Sequence, residues 1–216
     1  MGVGSGVNRD KEFRYVNAVR YAEIIYECLK NTDVNDSSGL SKRHNLLDSL
    51  DDMKNTFKKC HDRGNKIIFI GNGGSSAIAS HMAIDYSKNG GMRAISLNDF
   101  PTLTCLANDF GYQYVFSKQI EYHAHKDDCI VCISTGGKSP NIINAAYAAR
   151  SLGCRDIFTF TGMKSDNTLR TQGRLNFYVG SFDYGIVEIA HLTLLHSVCN
   201  RTFRDDLLQE IGVSQE

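Results

Sequence analysis

The sequence has little proline, no surplus of charge of either sign and no long hydrophobic run. Only two of its 216 residues are proline, so long helices are permitted. Basic and acidic residues number 24 each, which argues against nucleic acid or an anionic membrane as the main partner, because both attract a basic surplus. The apolar runs are too short to span a bilayer, and the N-terminus has no apolar signal core. We therefore expect a cytoplasmic protein built around one sizeable core.

The seven cysteines are an odd number and lie mostly within apolar runs. Cys129 and Cys132 form a CxxC pair, a spacing that also occurs in redox and zinc sites. Here the pair lies within a predicted strand, and no second CxxC accompanies it. We therefore favour buried, reduced cysteines over a functional pair.

Two amphipathic helices are predicted before the first strand. Apolar residues recur at intervals of three and four over 10–29 and again over 41–62. The polar segment between them, NTDVNDSSGLS, is predicted to be a loop. Because these helices have no strand partners of their own, they must bury their apolar stripes on the main domain, on another subunit or on both. Residues 1–62 are therefore interpreted as an N-terminal helical extension that serves oligomerisation.

From Lys66 onward, predicted strands alternate with helices. The strands are expected at 66–70, 92–96, 129–133, 156–162 and 175–180. Their alternation with helices predicts an α/β fold, a doubly wound five-stranded parallel sheet of flavodoxin-like order 2-1-3-4-5, over residues 63–216. A last long helix is expected over 184–204, and the extension and this domain should form one structural unit. Ligands of such sheets bind beyond the carboxyl ends of the strands.

Two loops rich in glycine and hydroxyl groups follow the first and third of these strands. The residues of these loops that we expect to bind a ligand are Asn72, Gly73, Ser75, Ser134, Thr135 and Ser139. Glycine lets a backbone approach an anion closely, and a helix N-terminus supplies unpaired N–H groups. Both loops fall near the switch point of the expected sheet, so together they predict one phosphate site. Lys138 is either a further charge for that phosphate or a solvent-facing side chain.

These loops resemble those of the sugar isomerase (SIS) domain family, which binds phosphosugars. Together with NDFGY (108–112) and a last helix that carries histidines, they are most similar to the phosphoheptose isomerases. The resemblance implies a homotetrameric ketose–aldose isomerase that converts sedoheptulose 7-phosphate to D-glycero-D-manno-heptose 7-phosphate. It assigns Ser75, Ser134, Thr135 and Ser139 to the phosphate, and Asn72 and Asp109 to the sugar. Members of the family commonly carry Ser in place of Gly136 and Asn in place of Lys138, so phosphate contacts or substrate preference differ here.

Imidazoles and carboxylates occur on two of the predicted helices. His81 and Asp85 are four residues apart and so share one helix face. Glu188 and His196 lie about 80° apart around the axis of the last helix, so both can face one cavity. Isomerisation through an enediol(ate) needs one group to move the carbon-bound proton and another acid or cation near the oxygens. Two imidazoles and two carboxylates also suit zinc, which polarises carbonyls.

The family resemblance gives these four side chains specific roles. Asp85 and His196 match the acid–base pair of phosphoheptose isomerases, and His81, Asp85, Glu188 and His196 match their zinc ligands. Asp85 is one methylene shorter than the usual glutamate, so either the base sits closer to the substrate or Asp85 is chiefly a metal ligand. Glu188 stands where relatives have glutamine, which adds negative charge for zinc and makes Glu188 a second candidate for the catalytic base.

Three other functions stay open at this stage. A non-catalytic phosphosugar-binding relative would keep the phosphate loops and lose the acid–base groups, which this sequence retains. An isomerase of a pentose or hexose phosphate is compatible with the departures at Asp85 and Gly136. A dinucleotide-dependent dehydrogenase is least favoured, because the GxGxxG fingerprint with its following acidic residue is absent. The remaining histidines are expected to be ordinary core or surface residues: His44, His61, His123, His125 and His191.

Overall fold

The computed structural model describes residues 17–203, which form one mixed sheet flanked by helices. The helices are α1 (Ala18–Lys30), α2 (Leu46–Asp62), α3 (Gly74–Lys88), α4 (Phe100–Phe110), α5 (Val115–His123), α6 (Pro140–Ser151) and α7 (Tyr184–Phe203). The strands are β1 (Asp33–Asp36), β2 (Gly39–His44), β3 (Ile67–Gly71), β4 (Ala94–Ser96), β5 (Cys129–Ser134), β6 (Ile157–Gly162) and β7 (Leu175–Val179). Short 3-10 turns occur at Tyr112–Tyr114 and Thr168–Thr171.

The sheet confirms the predicted parallel order of the five strands from β3 to β7. The strand order is β2-β1-β7-β6-β5-β3-β4, and every pairing among β3 to β7 is parallel. In chain order, these five strands therefore run 2-1-3-4-5, with the switch point between β3 and β5. The loops after these two strands start on opposite sides of that point, so they open toward the same crevice.

The prediction of a loop at residues 31–41 was wrong, because β1 and the first half of β2 lie there. The two strands form an antiparallel hairpin, and β1 also pairs with β7 through Val34 and Phe177, so the sheet has seven strands and is mixed. The β1 sequence DVND is poor in strand-forming residues, which concealed it. Val34 enters the core, whereas Asn35 is buried with hydrogen bonds to Arg170. Tertiary partners thus stabilise a strand that its local sequence disfavours.

The two N-terminal helices differ in how they bury their apolar residues. α2 begins at Leu46 rather than at 41, after Asn45, whose side chain accepts from the Asp48 N–H. It buries Leu50, Met53 and Phe57 against the main domain. α1 buries no residue completely, and Val19 is 69% exposed. The predicted residues 10–16 of the first helix, and residue 204 of the last one, lie outside the described residues.

The core lies in two layers, one on each face of the sheet. Alternation along β3 sends Ile67 and Phe69 to the layer beneath α2, α3 and α7, and Ile68 and Ile70 to the layer beneath α5 and α6. Helices therefore cover both faces, as predicted for a doubly wound sheet. Among the described residues, no helix is long and apolar enough to cross a membrane.

The CxxC cysteines of β5 lie on opposite faces of the sheet. Cys129 belongs to one core layer and Cys132 to the other, and both are fully buried free thiols. Side chains three apart in a strand point in opposite directions, so this pair cannot hold one metal ion. Burial raises the pKa of the Cys132 thiol to about 12, which leaves it protonated and inert. The prediction of buried, reduced strand cysteines is confirmed.

Candidate active site

A cavity of about 660 Å³ opens at the carboxyl ends of the central parallel strands. Six of the residues expected to bind substrate line it: Asn72, Gly73, Ser75, Ser134, Thr135 and Ser139. The loops after β3 and β5 therefore meet in one cavity. The seventh, Asp109, lies exposed on α4, where its carboxylate accepts from the Asn108 amide at 2.9 Å. Asp109 is not among the residues that line this cavity.

The loop after β3 delivers an open helix N-terminus to the cavity. Gly73 caps α3 with a positive φ of 53°, a conformation that favours glycine, and it provides no side-chain cap. Ser75, in the first turn, is 3% exposed and lines the cavity. Uncapped N–H groups together with a hydroxyl form a typical anion-binding arrangement.

The loop after β5 adds a second set of donors. Ser134 and Thr135 are buried at the end of the strand, and the Ser134 hydroxyl donates to the Ser139 hydroxyl at 3.4 Å. Ser139 stands at the N-cap of α6 without making a side-chain capping bond. The Ser139 hydroxyl, which accepts from Ser134, can therefore still donate to a ligand, and Thr135 also lines the cavity.

The loop after β5 is supported from below by residues that the sequence analysis missed. Gly137 has a φ of 61°, and a Cβ atom there would collide with the Asn167 side chain. The Leu169 N–H donates to the Gly137 carbonyl at 3.0 Å. The segment that carries these two residues continues to Arg170, which is 2% exposed and binds Asp33 of β1 at 2.8 Å. The loop after β5 is thus linked through buried contacts to the N-terminal hairpin.

Asn72 is held in place by two polar neighbours. Its side-chain amide forms reciprocal 2.9 Å hydrogen bonds with that of Asn141 at the start of α6. The Tyr112 hydroxyl donates to Asn72 Oδ1 at 3.0 Å. The segment that contains NDFGY therefore reaches the site through Tyr112. The motif pointed to this segment, but no local pattern marks which of its side chains turns inward.

A second feature, the histidine–carboxylate cluster, consists of His81, Asp85 and His196. Asp85 Oδ2 lies 3.6 Å from both His81 Nε2 and His196 Nδ1. One donor atom of each residue lies within 4.8 Å of the other two, which suits a three-ligand zinc site. Burial, and then the nearby His81, lower the pKa of His196, while Asp85 opposes this shift. A neutral His196 can accept a proton or bind a metal.

Glu188 lies in the cavity and outside the histidine–carboxylate cluster. Its carboxylate packs against Gly74 in the first turn of α3, where a Cβ atom would meet it. Glu188 and His196 are eight residues apart, a rise of about 12 Å along α7, so facing one side of the helix does not by itself bring them together. The structure groups three of the four predicted zinc ligands, and Glu188 lies beside the loop after β3.

His191 is a core residue, as expected. It is fully buried, and its Nε2 lies 3.0 Å from the Thr161 carbonyl oxygen. Burial lowers the pKa of His191 to about 4, so the ring is neutral in the folded protein near neutral pH. It is not among the residues that line the cavity.

A mixed sheet with five parallel strands, helices on both faces and two glycine-rich loops at its switch point defines a doubly wound α/β protein. Residues 39–161 match the family model described as the SIS domain. The chain belongs to the SIS domain family.

Several of the similar proteins are phosphoheptose isomerases. The phosphoheptose isomerase of Pelobacter propionicus is 35% identical over 155 residues, which cover 69% of this chain and 81% of that protein. That of Aliarcobacter butzleri is 38% identical over 142 residues, 63% of this chain and 74% of its own. The solved structure of phosphoheptose isomerase from Neisseria gonorrhoeae superposes with a TM-score of 0.72 at 26% identity, and the match covers 85% of this chain and 94% of that one.

Proposed function

We propose that the protein is a sugar-phosphate isomerase that interconverts sedoheptulose 7-phosphate and D-glycero-D-manno-heptose 7-phosphate. The observation that carries this proposal is the position of two groups of residues along α3: the predicted phosphate-binding residues at its start, and the acid–base residues further along. Ser75 lies in the first turn of the helix, beside the two glycine-rich loops, and His81 lies six residues, or about 9 Å, further along. A substrate with its phosphate at C7 and its reacting carbons at C1 and C2 likewise needs an anion site at one end and an acid–base site at the other.

The phosphate end of the substrate is bound by the two loops. Hydroxyl groups of Ser75, Ser134, Thr135 and Ser139, with the N–H groups of the first turns of α3 and α6, supply donors to its oxygens. Asn72, which is held by Asn141 and Tyr112, would bind the sugar hydroxyl groups. Asp109 remains a predicted contact of the sugar. Fixed donors position the reacting carbons for proton transfer.

The reacting end is placed at the histidine–carboxylate cluster. We assign to Asp85 the removal of the proton from C1, while His196 delivers a proton to O2; the electron pair of the C1–H bond becomes the C1=C2 bond of the enediol. Loss of the O1 proton and return of a proton to C2 then give the aldose. Glu188, which lines the cavity, is the second carboxylate available for the carbon-bound proton.

We propose that zinc is held by His81, Asp85 and His196. Two imidazole nitrogens and one carboxylate oxygen are donors that zinc prefers, and their mutual distances permit a common ligand position. When bound, zinc would polarise the carbonyl group and stabilise negative charge on the enediol oxygens. His196→Ala should then lower the metal content as well as the activity.

We further propose a cytoplasmic homotetramer in which the N-terminal segment 1–62 serves assembly. The exposed apolar side chains of α1 support the assembly, because a free subunit leaves them in water. Free thiols, including the exposed Cys105, suit a reducing compartment.

The test is a coupled assay with sedoheptulose 7-phosphate beside pentose and hexose phosphates, with and without added zinc. We expect turnover of the heptulose phosphate. Asp85→Asn should lower kcat by roughly 100-fold or more, because a general base contributes about 10²–10⁴. Glu188→Gln should retain activity, since the matching residue of relatives is glutamine. Glu121→Gln removes an exposed carboxylate on α5 and is the matched control.

The outcomes separate the alternatives. An active Asp85→Asn variant and an inactive Glu188→Gln variant would transfer the base role to Glu188. Preference for a pentose or hexose phosphate would contradict the heptose assignment. Tight phosphosugar binding without turnover of any substrate would identify a non-catalytic member of the family.

A further inference from the structure

We propose that Lys138 and Lys164 bind the substrate phosphate through their ammonium groups and supply positive charge that the hydroxyl-rich loops lack. This inference rests on the proposed function, since it concerns the same cavity. Both lysines line the cavity, together with the phosphate-loop hydroxyl groups. They come from different loops, one after β5 and the other after β6.

The two lysine-bearing loops are fastened to each other. The Gly162 N–H, at the end of β6, donates to the Thr135 carbonyl at 2.9 Å. Further along the loop after β6, Asn167 packs beneath Gly137. The backbone that carries Lys164 is therefore held beside the backbone that carries Lys138.

The residue before Lys164 is itself fixed in an uncommon conformation. Met163 has a φ of 58°, which is rare for a residue other than glycine. Its N–H donates to the Ser181 carbonyl at 3.0 Å, and its carbonyl accepts from the Tyr178 hydroxyl at 2.6 Å. Strained backbone that is held by surrounding contacts is typical of functional sites. Here it directs the chain so that Lys164 lines the cavity.

Neither lysine is engaged elsewhere in the part of the chain that the structure describes, residues 17–203. Lys66 and Lys118, by contrast, form ion pairs with Asp128 at 2.6 Å and Glu121 at 2.8 Å. The one acidic residue among those lining the cavity is Glu188, which packs on the first turn of α3. The lining residues thus carry a net positive charge when the cavity is empty. A phosphate monoester carries a charge of about −1.5 to −2 at neutral pH, and the two ammonium groups would offset much of it.

Gly136 leaves room for this charge. It lines the cavity without a side chain, and a Cβ atom there would approach only Met163 Sδ, at 3.9 Å. The space that a serine hydroxyl would occupy at this position is open to a lysine ammonium group. Replacing a neutral donor by two cations makes phosphate binding stronger at low salt and more sensitive to ionic strength.

The experiment measures the dissociation constants of sedoheptulose 7-phosphate and of inorganic phosphate by titration calorimetry at about 20 and 300 mM salt. The variants are Lys138→Met, Lys164→Met and the double variant. The matched control, Lys58→Met with Lys59→Met, removes two exposed charges of α2. We expect each cavity variant to weaken binding roughly three- to tenfold at low salt. The double variant should also lose most of the salt dependence, and the control should keep both properties.

Retention of charge provides a further check. Lys138→Arg with Lys164→Arg should keep most of the affinity and the salt dependence, whereas loss of both would show that charge is not the cause. Wild-type affinity and salt dependence in the double methionine variant would overturn the inference, even if the wild-type protein binds the sugar phosphate. If the wild-type protein binds neither ligand, the proposed function itself fails, so the two failures are distinguishable.

Discussion

Single residues in the phosphate loop illustrate how backbone conformation and packing set the site. Gly136 and Gly137 are neighbours with the same side chain, but their surroundings differ. Gly136 has open space around its Cα, whereas Gly137 combines a φ of 61° with the Asn167 side chain directly beneath it. The two positions therefore form a natural pair for substitution.

Gly137→Ala should lower the free energy of unfolding by about 1–3 kcal/mol, since alanine is strained at positive φ and its Cβ displaces Asn167. Gly136→Ala should change it by about 0.5 kcal/mol or less, because no close contact results. Urea denaturation of both variants measures the difference. Equal stability of the two would show that the loop relaxes without cost.

At the residue scale, the sequence predicted the candidate binding and acid–base residues. It did not predict the residues whose side chains pack against them and fix their positions. Glycine, hydroxyl and histidine spacings predicted the loops and the grouping of His81 with Asp85. Asn141 and Asn167 could not be found, because an isolated asparagine has no periodicity and its partner is distant in the chain. The angle around α7 predicted that Glu188 and His196 face one cavity, but it did not show that Glu188 lies beside Gly74 and apart from the histidine–carboxylate cluster.

Among the elements, α7 contributes both to the site and to the core. Its His196 belongs to the histidine–carboxylate cluster, while His191 faces the opposite way and donates a hydrogen bond to the Thr161 carbonyl of β6. Burial lowers the pKa of both imidazoles, and that of the fully buried His191 falls to about 4.

The buried His191 should make the protein acid-sensitive. Its pKa of about 4 in the folded state lies below the ordinary value of 6.5, so the unfolded state binds more protons between these limits. The free energy of unfolding should therefore fall as the pH drops from 6.5 toward 4, by up to about 3 kcal/mol from this group. His191→Gln keeps a donor for Thr161 and does not titrate, so its loss of stability should be smaller. Denaturation of both proteins at pH 7 and pH 4.5 is the measurement; identical losses would contradict the assignment.

Element boundaries followed from sequence wherever a hydrophobic pattern was strong. The five parallel strands and their intervening helices were predicted within a few residues. Short, continuously apolar runs such as CIVCIS are typical of strands that are buried on both faces of a parallel sheet. The polar strand β1 could not be recognised, since its stability comes from Arg170 and β7. Propensity decides little where a strand is stabilised by partners far along the chain.

At the scale of the whole molecule, α1 leaves apolar side chains exposed to water in the single chain. Val19 and Tyr26 are 69% and 61% exposed, although the helix sequence is amphipathic. A neighbouring subunit would remove these side chains from water, as the proposed tetramer requires.

Val19→Asp should shift the sedimentation coefficient from that of a tetramer to that of a dimer or monomer, because a buried unpaired charge is costly. Thr104→Asp adds the same charge at an exposed position of α4, outside segment 1–62, and is the control. An unchanged sedimentation coefficient in Val19→Asp would exclude this part of α1 from the interface. Analytical ultracentrifugation at several concentrations makes the comparison.

The hairpin that joins the sheet beside β7 also governs the order in which the chain can fold during synthesis. Asn35 leaves the ribosome early, but its buried partner Arg170 is 135 residues away. Synthesis adds about 5–20 residues per second, so on the order of ten seconds pass between the synthesis of the hairpin and that of Arg170 and β7, which bind it. Contacts of such long range slow folding, because the intervening chain must be closed first. The phosphate loop, which depends on the segment held by Arg170, should accordingly be among the last parts of the molecule to become ordered.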